Sequence, residues 1–220
     1  MTTQSEANIK LADEKLEIDP ELCSIDSEFE MFSDLFDFKA LAEQPDFGIK
    51  KYKKAVYRGQ IDSRQMRHGL GVQTYVSGRV YEGSWKDDKR NGGGYELYQN
   101  GNVYRGEFVS NKPHGKGTLF LRNGEVYEGE WEAGAKNGYG VWKAKDGSSY
   151  VGEWKSNKSH GYGVHHWKSG DKYEGQWIDG LKSGSGTERF SNGDTYTGPF
   201  QIGLPNGEKG TYNWKSGAVY

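Results

Sequence analysis

Cysteine is almost absent. The 220-residue chain has one, Cys23, which excludes a disulfide framework and suits a reducing compartment. Long apolar runs are missing too. The longest is three residues, as in Leu119-Phe120-Leu121, whereas a bilayer-spanning helix needs about 20. Residues 1–10 have no apolar centre, so no signal peptide is expected there. Aliphatic side chains are scarce. Leu, Ile, Val and Phe together number 38, about 17 % of the chain, below the ~20 % that accompanies disorder at high net charge. Mean hydropathy is −0.94. Yet net charge is only −2, and 31 residues are Phe, Trp or Tyr. Disordered chains are aromatic-poor and strongly charged, so the order of the residues must explain the composition.

Charge and composition both change near residue 50. Residues 1–50 hold 13 Asp or Glu against 4 Lys or Arg, net −9, and residues 51–220 hold 18 against 25, net +7. Of 33 glycines, only Gly48 precedes the change, and all seven Trp follow it. An acidic arm (1–50) and a basic body are expected, with a boundary at Lys50-Lys51-Tyr52-Lys53-Lys54.

Internal repetition decides the body. Tyr-x-Gly recurs at Tyr57, Tyr81, Tyr104, Tyr127, Tyr150, Tyr173 and Tyr196, at steps of 23 or 24 residues, and Tyr220 opens an eighth copy. Two residues after each glycine stands a large apolar side chain: Ile61, Trp85, Phe108, Trp131, Trp154, Trp177 or Phe200. Gly-x-Gly follows in six copies, and the seventh is stretched to Gly207 and Gly210. Phrases such as Tyr127-Glu128-Gly129-Glu130-Trp131 alternate with period two, as half-exposed strands do. Asn100-Gly101, Asn123-Gly124, Asp146-Gly147, Ser169-Gly170 and Asn192-Gly193 mark turns. Each unit therefore reads as strand, loop, strand, turn, with a bulge in the second strand. Units this short cannot bury a core alone, but stacked hairpins can form one sheet in which aromatic rings lie over the strand glycines. Seven such units, at about 4.8 Å per strand, predict a sheet roughly 65–70 Å long.

Tyr127-Glu128-Gly129-Glu130-Trp131 with Asn137-Gly138-Tyr139-Gly140, and Tyr150-Val151-Gly152-Glu153-Trp154 with His160-Gly161-Tyr162-Gly163, resemble the MORN (membrane occupation and recognition nexus) repeat. The resemblance covers about residues 55–220 and leaves the arm outside it. It implies an all-β fold: an elongated, twisted, single-layer antiparallel sheet of stacked hairpins. Members of that family act as membrane-proximal or cytoskeletal scaffolds, as binders of helical partner segments and as suggested phospholipid binders. Some attach the repeats to a lipid kinase or methyltransferase domain. The chain departs from the pattern at Ile61, at Ala144 (with Trp142 nearby) and at Pro199, which removes a ladder donor. Tyr220 leaves two alternatives: an edge open to pairing, as in a homodimer through the C-terminal repeats, or a longer natural chain.

No catalytic constellation is expected. His68, His114 and His160 share a position with Asn91, Asn137, Ser183 and Asn206, which marks a turn former rather than a metal ligand. His165-His166 should point to opposite faces of a strand. The Gly-x-Gly phrases are not followed by Gly-Lys-Ser/Thr, so no phosphate loop and no cofactor are expected.

Two surfaces are candidates for binding. The first is the aromatic face of Tyr81, Trp85, Tyr104, Phe108, Tyr127, Trp131, Tyr150, Trp154, Tyr173 and Trp177. A single-layer sheet should leave it accessible to a protein partner, as Tyr and Trp are common interface anchors. The second is a row of cations, Lys89, Arg90, Lys112, Lys136, Lys158 and Lys182, suited to acidic lipid headgroups. Nucleic acid is not expected of a body so mixed in charge. In the arm, Phe29, Met31, Phe32, Leu35, Phe36, Phe38 and Leu41 recur at helical spacing, predicting an acidic amphipathic helix around 27–43. It would fold back on the body through Phe29, Phe32, Leu35 and Phe36; the alternative is a tail with a transient helix. The leading expectation is a non-catalytic scaffold for a protein partner, such as a helical segment of a cytoskeletal or motor protein. It would be cytoplasmic and associated with membrane, cytoskeleton or cilium. Peripheral binding of acidic phospholipid and a regulatory portion of a longer enzyme are the alternatives.

Overall fold

A computed structural model describes residues 36–207 and 209–220. Phe29, Phe32 and Leu35 of the expected amphipathic helix lie outside them. Sixteen antiparallel strands form one open sheet of stacked hairpins, the first fifteen in chain order and the last paired with the fourteenth, and the only helix among the described residues is α1, Phe38–Ala42. Asp37 caps α1: it is extended, and its side chain accepts from the Lys39 and Ala40 amides at 2.9 and 3.0 Å. Phe36 therefore precedes this helix and is not part of it.

The chain divides into two compact units. The first takes the described residues up to Gly124, together with Trp131–Gly134. It holds α1 and strands β1 (Phe47–Tyr52), β2 (Ala55–Ile61), β3 (Arg67–Tyr75), β4 (Val80–Lys86), β5 (Lys89–Leu97), β6 (Val103–Val109) and β7 (Lys112–Phe120). β1 precedes the first Tyr-x-Gly phrase and pairs along its whole length with β2, from Phe47 opposite Gln60 to Tyr52 opposite Ala55. The sheet thus begins on the acidic side of the charge boundary. The second unit takes Glu125–Glu130 and Ala135–Tyr220. It holds most of β8 (Val126–Glu132), then β9 (Ala135–Lys143), β10 (Ser149–Lys155), β11 (Lys158–His166), β12 (Lys172–Ile178), β13 (Leu181–Arg189), β14 (Thr195–Gln201), β15 (Leu204–Pro205) and β16 (Thr211–Asn213). In the last repeat the stretched second strand is split, so β14 pairs with β15 at Phe200 and Gln201 and with β16 at Thr195–Thr197.

Both connections inside a repeat follow from backbone chirality. The loop expected after the first strand is a two-residue turn with positive φ at both residues: Asp87-Asp88, Ser110-Asn111, Ser156-Asn157, Asp179-Gly180 and Ile202-Gly203. That is the primed hairpin geometry that matches strand twist. At the turns between repeats, such as Asn100-Gly101, only the glycine is left-handed.

Each repeat is built on a tyrosine lying over two glycines. Tyr150 stands on Gly152 and Gly163, which face each other across β10 and β11. The register slips between Gly152 and Glu153. That bulge turns the Glu153 carbonyl toward the ring, and the Tyr150 hydroxyl donates to it at 3.0 Å. The same bond to the carbonyl three residues on is made by Tyr57 (2.8 Å) and, at 3.0 Å, by Tyr81, Tyr104, Tyr127, Tyr173 and Tyr196. Pro199 sits at this bulge position, and its carbonyl takes the Tyr196 hydroxyl. Burial pushes the buried phenols up from their ordinary titration range.

Rings of adjacent repeats meet edge to face. In the first unit Tyr57 and Tyr81 meet Trp85, Tyr81 and Tyr104 meet Phe108, and Tyr104 meets Trp131, with centroids 5.1–5.3 Å apart. In the second the series runs from Tyr127 and Trp154 to Tyr196 and Phe200, at 4.9–5.4 Å. Such pairs contribute about 0.5–1.5 kcal/mol each beyond the area they bury. Indole N–H groups tie adjacent repeats together further. Trp85, Trp131, Trp154 and Trp177 donate to the carbonyls of Gly71, Gly117, Gly140 and Gly163, each 14 residues earlier, at 3.0–3.1 Å.

Candidate functional site

The expected partner-binding face is largely core. Tyr81, Trp85, Tyr104, Phe108, Tyr127, Trp131, Tyr150, Tyr173 and Trp177 are all 7 % exposed or less, and only Trp154 is half-buried. The physical reason is the edge-to-face series: each ring is covered by its neighbours along the row, so a single layer of backbone still encloses its aromatics.

The expected row of cations is two rows. Lys89, Lys112 and Lys158 pair with Lys86, Val109 and Lys155 at the hairpin ends and are exposed. Arg90, Lys136 and Lys182 stand one residue further along, at a position of the opposite parity, and turn over the rings. Arg90 lies 5.3 Å from the Tyr81 ring centroid and 5.2 Å from that of Phe108. The Lys136 amino group lies 4.6 Å from Tyr127 and 4.9 Å from Trp154. That of Lys182 lies 4.9 Å from Trp167, 5.3 Å from Tyr173 and 5.6 Å from Phe200. Arg67 occupies the same position and stacks on Trp85 at 4.2 Å.

The ring-bearing face opens at one further position, directly across the ladder from the tyrosines. Gln73 sits between Tyr57 and Tyr81, Glu96 between Tyr81 and Tyr104, His165 between Tyr150 and Tyr173, and Glu188 between Tyr173 and Tyr196. Leu119 lies beside Tyr104 and Trp142 beside Tyr150. Where the residue here is acidic, a cation closes over it. Glu96, 1 % exposed, pairs with Arg90 at 2.5 Å and with Arg79, and Glu188 pairs with Lys182. Where it is Trp142 and His165, a cleft remains.

That cleft has a volume of about 250 Å³ and is lined by Trp142, Tyr150, Trp154, Ser159, His165, Trp167, Trp177 and Gly180. His165 is packed 4.2 Å from Trp167 and 6.0–6.3 Å from Trp142, Tyr150 and Trp177, centroid to centroid. Burial, with His166 and Lys182 nearby, pushes its imidazole down to about 4, so it is neutral at physiological pH. The indoles of Trp142, Trp154 and Trp177 already donate, to Glu125, Gly140 and Gly163. The cleft therefore presents fixed, flat apolar surfaces. The Gly140 and Gly163 carbonyls and the seated Tyr150 hold the Trp154 and Trp177 rings in place. Trp142 and His165 entered the sequence reading only as a neighbour of Ala144 and as half of a histidine pair, and neither they nor Trp167 were read as site residues, because they fall outside the repeat phrase; variation at the position shared by Trp142 and His165 is the signal that marks those two. Among the described residues no three His, Cys, Asp or Glu converge as a metal site, and no helix is long and apolar enough to cross a membrane.

Comparison with known families matches the MORN repeat at residues 66–78, 81–103, 104–126, 127–149, 150–172 and 173–195. Curated proteins gave no match. Among solved structures, the chain is similar to the TCP domain of SAS-4 (dCPAP) of Drosophila melanogaster in complex with a proline-rich motif of Ana2 (dSTIL). Identity is 12 %, coverage 69 % of this chain and 82 % of that one, and the TM-score 0.41. It is also similar to the wild-type TCP10 domain of Danio rerio CPAP, at 8 % identity, with coverage of 78 % and 81 % and a TM-score of 0.41. Scores at this level carry no inference about function.

Proposed function

The chain belongs to the MORN-repeat family, and from that premise we propose that it is a non-catalytic scaffold that binds a segment of a protein partner in the aromatic cleft of its second unit. The observation that supports this is the cleft itself: Trp142, Trp154 and Trp167 are half-buried around an open volume of about 250 Å³, with their rings fixed by packing. Preorganised Trp and Tyr side chains in a pocket are the usual energetic centre of a protein interface. A helical segment of a cytoskeletal or motor protein is the partner class that the family suggests.

The test is a pull-down with the full chain, Trp167→Ala and Tyr75→Ala. Trp167 lines the cleft, and Tyr75 holds the corresponding strand position in the first unit. Partner capture should fall with Trp167→Ala and survive Tyr75→Ala, with both variants folded by urea titration. Identical partner sets for all three proteins would overturn the reading. Lipid binding through the cation row has less support, since Arg90, Lys136 and Lys182 are directed onto rings.

A further inference from the structure

Four repeats place a cation over the aromatic row at one position: Arg67, Arg90, Lys136 and Lys182. Three of the four are answered from within the repeat by the residue six positions later. Arg67 meets Gln73 at 2.5 Å, in addition to Asp88 at 3.0 Å; Arg90 meets Glu96; Lys182 meets Glu188. Repeats with proline or serine at the cation position, Pro113 and Ser159, carry Leu119 and His165 instead of an acid. Lys136 breaks this pairing. Six residues later stands Trp142, and no carboxylate among the described residues forms an ion pair with its amino group.

Lys136 is held between the Tyr127 and Trp154 rings, and Trp154 is a wall of the cleft. Burial lowers its ammonium from the ordinary lysine range, opposed by the field of Glu125. The Glu125 carboxylate is itself engaged, accepting the Trp142 indole at 3.0 Å. A partly buried cation that forms no ion pair is costly, and here it lies next to an apolar cavity larger than the ~150 Å³ that accepts a benzene ring.

We propose that Lys136 and the adjoining cleft form a binding site for a partner segment in which a carboxylate lies next to an aromatic side chain. The ring fills the space between Trp142, Trp154 and Trp167, and the carboxylate replaces the acid that Glu96 and Glu188 supply in their own repeats. This rests on the reading of the cleft as a protein-binding surface and specifies the chemistry of its partner.

The test uses the full chain and two short blocked peptides, titrated by fluorescence anisotropy. One carries phenylalanine flanked by glutamates, and the other has glutamine in place of each glutamate. The glutamate peptide should bind about tenfold more tightly, because a hydrogen bond to a charged group is replaced by one to a neutral amide. Lys136→Gln should abolish that preference and Lys136→Arg should retain it. Lys182→Gln should also retain it, because Lys182 already has Glu188. Equal affinity of the wild type for the two peptides, no binding of either, or a preference that survives Lys136→Gln overturns the assignment. So does a Lys136-dependent co-sedimentation with acidic vesicles in place of peptide binding, or a Lys136-dependent dimer in light scattering. The two readings fail separately. Loss of the carboxylate preference with Trp167→Ala still impairing the pull-down removes only the acidic partner. An unimpaired Trp167→Ala pull-down removes the cleft as a binding surface.

Discussion

Tyr81 lies so close on Gly94 that a methyl group at position 94 would stand 2.5 Å from the phenol oxygen. A methyl group at the neighbouring Gly93 would have nothing within 4 Å. Gly94→Ala should therefore unseat the ring and cost about 1–3 kcal/mol through overpacking. Gly93→Ala should be neutral or raise stability by about 0.4–1 kcal/mol, by restricting the unfolded chain. Urea titration of both variants checks the pair, and equal effects would contradict the seat.

Trp85 donates its indole N–H to Gly71 at 3.1 Å, whereas Phe108 and Phe200 fill the same place in other repeats without such a bond. Trp85→Phe should keep the edge-to-face contacts and lose the stitch. A loss of about 1 kcal/mol is expected, the net worth of one hydrogen bond with a buried acceptor. It is read as a shift in urea midpoint with an unchanged slope.

Glu82 is 5 % exposed, and burial raises its carboxyl to about 7 from an ordinary 4.5. The folded protein therefore holds a proton that the unfolded chain releases at lower pH. Stability from this group is complete below the unfolded value and falls as pH rises through 7, by at most about 3 kcal/mol. Glu82→Gln should flatten the fall in stability between about pH 4.5 and 7, as followed by urea midpoint across pH.

His165 acts in the opposite direction. Its folded value of about 4 lies below the ordinary 6.5, so the unfolded chain binds the proton first. The contribution is complete above the unfolded value and is lost as pH falls toward 4. His165→Phe should flatten the acid limb while leaving the alkaline limb unchanged, as followed by melting temperature across pH.

The repeat phrase made the fold legible, because a ring over a pair of Cβ-less residues demands Tyr and Gly at fixed offsets and tolerates little else. Burial of the row was not legible. Each Tyr or Trp looks exposed on a single layer until its edge-to-face neighbours, such as Tyr104 and Trp131, are placed. The cation row was misread for a simple reason: Lys89 and Arg90 are adjacent, so they face opposite sides of a strand. The turn at Asp87-Asp88 was read as a loop because it lacks the Asn-Gly signature, although both residues adopt positive φ. The cleft was hidden because Trp142 and His165 occupy a position with no consensus at all.

The column formed by Gln73, Glu96, Leu119, Trp142, His165 and Glu188 has a genetic consequence. Each member rests on the same Tyr and Gly foundation, so exchanging one leaves the backbone undisturbed. Gaining or losing one whole repeat of 23 residues would set two members that now stand apart side by side, while the other adjacencies stay as they are. Unequal recombination between repeats, more than point substitution, is then the short route by which such a sheet acquires a different partner.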